Sequence, residues 1–537
     1  MADRQSGKKF KVFIPLLFSV TLAAGMLLGF KLRDKQGYKA SYFFSSGQRN
    51  TVQEILNLIR VKYVDSLHDK DLNADAIAGI LRHLDPHSLY IAPSRLSSVN
   101  EDLEGNFQGI GIEFNIFSDT VNVISVISGG PSQEAGLQTG DKIVRVGDSL
   151  VAGNGITADR IRELLRGPKG SAVKVTLLRD GQLLPVEIHR GIIPLHSIDA
   201  GYMATPDVGY IRINRFAANT YREFMDTMLV LQQKGLKKLI IDLRQNPGGY
   251  LDAATKIADE LLSDDKLIVY TQGKSYPRTD YRCDKPGIFE KGNLALLVDE
   301  GSASASEILS GAVQDWDRGT IIGRRTFGKG LVQEQFPLYD GGALRLTVAR
   351  YYIPSGRCIQ KSYKKGIEDY DEDILHRYQH GELSTADSIH FADTTHYYTR
   401  IKHRVVYGGG GITPDVFVPL DTTHINGALA LLYTQNTLYN FVYAYYSRHR
   451  KLFDEYQDAA DFSKRFHVSD DIMQAFRQYA RKEGKDSLPA AGSADEPELR
   501  ERLKAFFARQ RWSTEGYYEV SNAGDPMLTK ALEQLGG

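Results

Sequence analysis

Along residues 51–64 and 71–84 apolar side chains recur every three to four positions, which predicts two helices. Asp85-Pro86 ends the second, because proline fixes its own φ and biases the preceding residue away from helix. Alternating patterns at 109–114 and 121–126 predict strands. A short glycine-closed helix over 131–137, a strand and turn over 140–148, an amphipathic helix over 158–165 and a strand over 172–179 complete a compact unit. From residue 207 strand and helix patterns alternate. A strand at 208–213 precedes a helix over 220–234, stopped by Gly235. A buried strand at 238–244 then turns through 245–251 into another helix, and an apolar strand at 294–298 leads into a helix over 307–313. This alternation argues a wound α/β core. Residues 342–352 read as strand and 364–399 as a polar, acidic-aromatic insertion. Aromatic helical segments at 438–456 and 470–482, interrupted by a loop at 486–497, define a C-terminal helical region.

With 537 residues the chain exceeds one hydrophobic core, so several domains are expected. Its 42% hydrophobic and 25% charged residues exclude a disordered class. Basic and acidic residues balance at 66 each and no long basic run occurs, which excludes a nucleic-acid partner. Residues 12–30 carry no charge and follow Arg4, Lys8, Lys9 and Lys11. A helix of that length would span roughly 28 Å, close to a bilayer core, with the basic flank on the cytoplasmic side. A single-pass inner-membrane anchor with the bulk of the chain in the periplasm is therefore expected. A cleaved signal peptide, with Ala23 and Gly25 as small residues, is the alternative. Cys283 and Cys358 have no His or Cys neighbours at metal-ligand spacing, and whether they pair stays open.

The candidate chemistry lies in Gly301-Ser302-Ala303-Ser304-Ala305-Ser306-Glu307 and Thr326-Phe327-Gly328-Lys329-Gly330. A serine at a strand-to-helix junction combines an exposed hydroxyl with backbone N–H groups and the positive end of a helix dipole. Those are a nucleophile and donors for an oxyanion. Glycines beside Lys329 allow close backbone approach, and a Ser-Lys pair is a variant of triad logic. The competing reading is a Ser/Ala-rich helix N-cap and a solvated lysine.

The pair resembles the signature of the C-terminal processing peptidases, or tail-specific proteases (family S41). The resemblance places the nucleophile at Ser304, the base at Lys329 and a supporting polar residue at Gln333, leaving Ser302 and Ser306 as backbone-capping neighbours. Leu84-Asp85-Pro86-His87-Ser88 and Gly411-Ile412-Thr413-Pro414-Asp415-Val416 also resemble family segments, with His87 read as a capping or core histidine. So does Asp242-Leu243-Arg244-x-Asn246-x-Gly248-Gly249, whose glycines let a backbone loop approach a substrate carbonyl. The oxyanion donors are assigned to Ala305 and Gly248, with Gly249 as the near alternative. The ordered elements from 101 to 192 resemble a PDZ domain. Its loop and edge at Gly109, Ile110, Gly111 and Ile112 would take a peptide C-terminal carboxylate and add the peptide as a strand.

The resemblance implies a multidomain α/β protein with a crotonase/Clp-like serine protease core and an inserted PDZ domain. The expected organisation is an anchor at 12–30, a helical region at 36–100, the PDZ domain at 101–192, the protease core at 193–421 and a helical region at 422–537. The implied activity is endoproteolysis near the C-termini of captured proteins, without metal or cofactor. An adaptor protein and a homo-oligomer are left open as partners. The alternatives are a membrane-tethered PDZ scaffold with an inactive protease-like domain, and a crotonase-like enzyme acting on thioesters.

Overall fold

The computed structural model describes residues 51–65, 69–117, 119–391, 393–421, 427–484 and 492–536, together with Ser19, Thr21, Leu22, Gly25 and Leu488. The chain separates into one unit up to Ile77 and another from Ala78 onwards. In the first, α1 (Thr51–Lys62) has no buried residue, and α2 (Asp69–Leu81) begins.

In the second unit a six-stranded sheet is the centre. Strands β10 (Ile198–Met203), β11 (Val208–Ile213), β12 (Lys238–Asp242), β15 (Asn293–Val298) and β16 (Thr320–Gly323) run in that order, with Val416–Phe417 beyond them. The pairs from β11 onwards are parallel. Because side chains alternate along a strand, Leu239 and Ile241 face one layer and Ile240 the other. The first layer holds α6 (Thr220–Gln233), α7 (Leu251–Leu261) and α8 (Ala305–Asp315), which is buried along its whole length. The second face is covered by the last helix, α17 (Pro526–Gln534), through Met527, Leu528 and Ala531, with Leu535 just beyond its end.

Beside this core lies a sheet of β1 (Leu89–Ile91), β13 (Leu267–Gln272), β14 (Thr279–Arg282), β17 (Leu331–Pro337) and β18 (Ala343–Tyr352), in which β18 pairs with β1, β13 and β17. Residues 101–192 hold a separate sheet, ordered β3 (Ile112–Phe117), β4 (Thr120–Val126), β5 (Lys142–Val146), β7 (Ala172–Arg179) and β8 (Gln182–His189). There β6 (Ser149–Leu150) pairs β5, and α5 (Ala158–Leu165) buries Ile161 and Leu165 against the sheet. It is joined to the core through α3 (Pro93–Glu104), and through β2 (Asn106–Gly109) paired with β9 (Gly191–Pro194). This is the expected multidomain α/β architecture, with one domain inserted before the core.

Several expectations change. The strand expected over 109–114 is broken, because Gly111 takes a φ of 77° and separates β2 from β3. The helical reading of 36–100 is interrupted by β1, and its residues 36–50 lie outside the described residues. The helix expected over 438–456 stops at Arg448 and restarts at Arg450–Phe453. Part of the 486–497 loop also lies outside the described residues, and α16 (Glu496–Ser521) begins within it. Cys283 and Cys358 are free thiols.

The membrane placement is corrected. The proposed anchor at 12–30 lies outside the described residues except for four positions. Among the described residues no helix is long and apolar enough to cross a membrane, and spanning a bilayer core takes about 20 consecutive apolar residues. A single-pass inner-membrane protein facing the periplasm is not supported.

Candidate active site

The serine-rich turn sits where β15 ends and α8 begins, at the carboxyl edge of the parallel strands. Ser304 itself caps α8 with φ 53° and ψ −111°, a left-handed conformation that costs a non-glycine residue energy and turns it out of the helix line. Its neighbours hold the turn. Ser302 Oγ donates to the Leu243 carbonyl (2.8 Å) and Ser306 Oγ to the Asn246 carbonyl (2.9 Å). Ala303 N–H also donates to the Asn246 carbonyl (2.9 Å). Both flanking serines are fully buried, while Ser304 is half-exposed to a cavity of about 780 Å³.

That cavity brings together Ser304, Lys329, Gln333, Gly248 and Gly249. Asp102 and Leu103, from the end of α3, form another part of its wall. Gly248 approaches the serine turn so closely that a Cβ there would lie 2.8 Å from both Ala305 N and Ser304 Cβ. Only glycine fits that approach. Gly248 N–H donates to Asn246 Oδ1 (2.9 Å), whereas the N–H groups of Ala305 and Gly249 have no protein acceptor among the described residues. Gln333 lies on β17, just after a register shift, and its Nε2 has no hydrogen-bond partner.

Two residues that sequence reading did not single out bind the serine turn to the lysine loop. Glu307, three positions after Ser304 and fully buried, accepts from Ser304 N–H (2.8 Å), Lys329 N–H (2.8 Å), Gly328 N–H (2.8 Å) and the Thr326 hydroxyl (2.5 Å). Burial pushes this carboxyl up to about 7, and its four donors oppose that shift. The Tyr351 hydroxyl, from β18, lies against the Ser304 carbonyl (3.1 Å) and the Lys329 carbonyl. A signal for Glu307 was present, since Ser304-Ala305-Ser306-Glu307 has the S-x-x-E spacing of a capping box. Nothing local marks Tyr351.

Lys329 is half-buried, and its Nζ forms no ion pair or hydrogen bond among the described residues. Desolvation first, and the Arg345 charge second, lower its pKa to about 8, against smaller opposing effects of Glu307 and Asp85. The Asp85-Pro86-His87-Ser88 turn reaches the same neighbourhood by docking on β18. Asp85 Oδ1 accepts from Thr347 Oγ1 (2.9 Å), and Ser88 Oγ accepts from Thr347 N–H (3.1 Å). His87 pairs with the Tyr370 hydroxyl (2.9 Å) and is lowered to about 4 by burial and by Lys329, so it is neutral at pH 7.

In the inserted unit Gly109 ends β2 opposite Gly191, and Ile112 starts the sheet-edge strand β3. Between them the carbonyls of Ile110 and Gly111 accept from Ser132 and Ile127 N–H groups (3.0 and 3.1 Å). The N–H groups of Ile110 and Gly111 have no acceptor among the described residues.

A family model described as peptidase family S41 matches residues 207–371, a PDZ domain model matches 108–189, and a family of unknown function (DUF8443) matches 429–513. A carboxy-terminal-processing protease of Bartonella bacilliformis is 35% identical over 313 residues, covering 57% of this chain and 71% of that protein. A probable CtpA-like serine protease of Staphylococcus aureus is 33% identical over 321 residues, and the match covers 59% of this chain and 63% of that protein. Among solved structures, a photosystem II D1 C-terminal processing protease is 27% identical, with 70% of this chain and 88% of that one covered at a TM-score of 0.34.

Proposed function

This chain belongs to the carboxy-terminal-processing serine proteases of peptidase family S41, and we propose that it cleaves with a Ser304-Lys329 dyad after its PDZ domain captures a free tail. The observation that carries the proposal is the shared anchoring of Ser304 and Lys329 by Glu307 and Tyr351 at one cavity. In this reading Ser304 Oγ attacks the scissile carbonyl while neutral Lys329 Nζ takes the hydroxyl proton. Lys329 then delivers that proton to the leaving amine, and water attacks the acyl-enzyme with the same lysine as base. The Ala305 N–H and a glycine N–H, Gly248 or Gly249, receive the oxyanion. Gly249 has the advantage of being free, because Gly248 already donates to Asn246. The uncharged Gln333 amide orients the lysine without restoring its charge. An intact Ser304, Lys329 and Gln333 at one cavity disfavours an inactive scaffold.

A lysine lowered to about 8 gives a signed pH dependence. The ammonium dominates below that pH and the base above it, so kcat/KM should rise tenfold per pH unit below about 7 and level off above about 9. Removing the Arg345 charge stabilises the ammonium, so Arg345→Gln should shift the rising limb to higher pH. A limb that stays in place or moves down would remove Lys329 as the titrating base.

Tail capture is tested with one protein bearing an apolar last residue, presented with a free or an amidated C-terminus, and product mapping by mass spectrometry. Free tails should be cleaved faster, at internal bonds near the C-terminus. Equal cleavage of both would remove carboxylate recognition by Gly109 to Ile112, and cleavage of neither would remove the enzymatic reading.

A further inference from the structure

The C-terminal helices close a second cavity against the PDZ sheet. We infer that it reads the outward-facing side chains of a captured tail and favours an aromatic residue second or fourth from the end. The inference rests on tail capture by strand addition, as proposed above.

Along β3, Ile112, Phe114 and Ile116 pack into the PDZ core, so Glu113, Asn115 and Phe117 face the other way. That outer face meets α12 (Thr437–Arg448) and α16. Glu113 Oε1 accepts from the Tyr439 hydroxyl and from Arg509 Nη2, both at 3.2 Å. Asn115 Nδ2 donates to Asn440 Oδ1 (2.8 Å), and Phe117 stacks on Tyr443 at 5.0 Å. The helices therefore cover the face of β3, while its backbone edge has no strand beside it among the described residues.

Two cavities flank the Glu113–Tyr439–Arg509 contact. One of about 500 Å³ runs over Ile124 and Ser125 of β4. The other, of about 330 Å³, touches no residue of β4, and from the PDZ side only Glu113 and Asn115 line it. It therefore lies toward the free edge of β3, where an added strand runs. With the tail carboxylate at Ile110 and Gly111, the last side chain faces inward toward α5. Alternation then points the second and fourth from the end outward, beside Glu113 and Asn115.

The lining selects the occupant. Tyr433 and Tyr439 flank Phe506 at ring distances of 6.0 and 6.1 Å, and Leu432 and Leu438 add apolar wall. Cations are already in place, with Arg502 4.7 Å over Tyr433 and Arg509 5.5 Å over Tyr439. A basic tail side chain would meet the Arg509 guanidinium in the lining, and an acidic one would compete with Glu113 for it. An uncharged aromatic ring meets neither obstacle.

The test uses the full chain carrying Ser304→Ala, so that peptides are bound and not cut, with fluorescence anisotropy as the readout. Peptides keep an apolar last residue and a serine background, and one phenylalanine is moved through the second, third and fourth positions from the end. Phenylalanine at the second or fourth position should bind about three- to tenfold tighter than serine. Phe506→Ala and Tyr433→Leu should erase that gain while the all-serine tail binds as before and the effect of phenylalanine at the third position is unchanged. Each variant's all-serine affinity serves as its own folding control. A gain confined to the third position, a stronger gain from lysine or glutamate, or a gain that survives both substitutions overturns the inference. If free and amidated tails bind alike, it is tail capture itself that fails, a separable result.

Discussion

Ser304→Ala and Lys329→Ala are each expected to reduce peptide cleavage to near background while leaving binding of a free-tailed peptide intact. In serine proteases whose catalytic groups act as a unit, removal of one member costs on the order of 10⁴ to 10⁶ in kcat. The same scale is expected here, because Ser304 and Lys329 act as such a unit in the proposed mechanism. The two losses should be grossly non-additive, so the double variant should be little slower than either single one. Ser302→Ala and Ser306→Ala serve as contrasts. Their hydroxyls donate to backbone carbonyls of the neighbouring loop, so their loss should lower thermal stability and spare most of the rate. The decisive measurement is kcat by a quenched-fluorescence peptide assay alongside tail affinity. Substantial turnover by Lys329→Ala, or loss of turnover on changing Cys358 alone, would sink the assignment.

The second large effect is expected at Glu307, which acts by positioning. Glu307→Gln preserves shape but replaces an acceptor oxygen by an NH₂ group facing donors, and each buried donor left unsatisfied costs about 1–3 kcal/mol. Because those donors belong to Ser304, Gly328, Lys329 and Thr326, the loss should fall on kcat by about a hundredfold, with KM little changed. A purely structural role would lower the melting temperature without touching the pH profile. Glu307 instead favours the lysine ammonium, so its neutralisation should move the rising limb to lower pH, opposite to Arg345→Gln. Stability carries its own sign. A carboxyl raised to about 7 from 4.5 is costly to ionise in the folded state, so its contribution becomes less favourable as pH rises from about 4.5 to 7. That increment should vanish from the stability-versus-pH curve of Glu307→Gln. An unshifted rate limb with unchanged kcat would reduce Glu307 to a helix cap.

The comparison of sequence with structure divides by the range of the interactions. Periodicity located α5, α6, β11, β12 and β15 because which face is buried is written in the spacing of apolar residues. The strand-to-helix junction around Ser304 was legible for the same reason, and the motif order made the family resemblance visible. Local pattern failed where one backbone angle decided the outcome, as at Gly111, whose φ of 77° splits a stretch with the apolar content of a single strand. It failed at the amino terminus too, where an uncharged run suggested an anchor that no described helix supports. Apart from Ser304, the partners of Glu307 lie 19 to 22 positions further along the chain, and Tyr351 stands 22 positions beyond Lys329. No local period encodes such pairings. The C-terminal region illustrates the same limit, since its helical pattern was readable but its docking on β3 was not. Sequence alone determined the main helices and strands of the core, their order and the residue types available for chemistry. Only the tertiary structure decided which of them share a cavity, because a buried carboxylate or hydroxyl takes its partners from whatever chain the packing brings within hydrogen-bond distance.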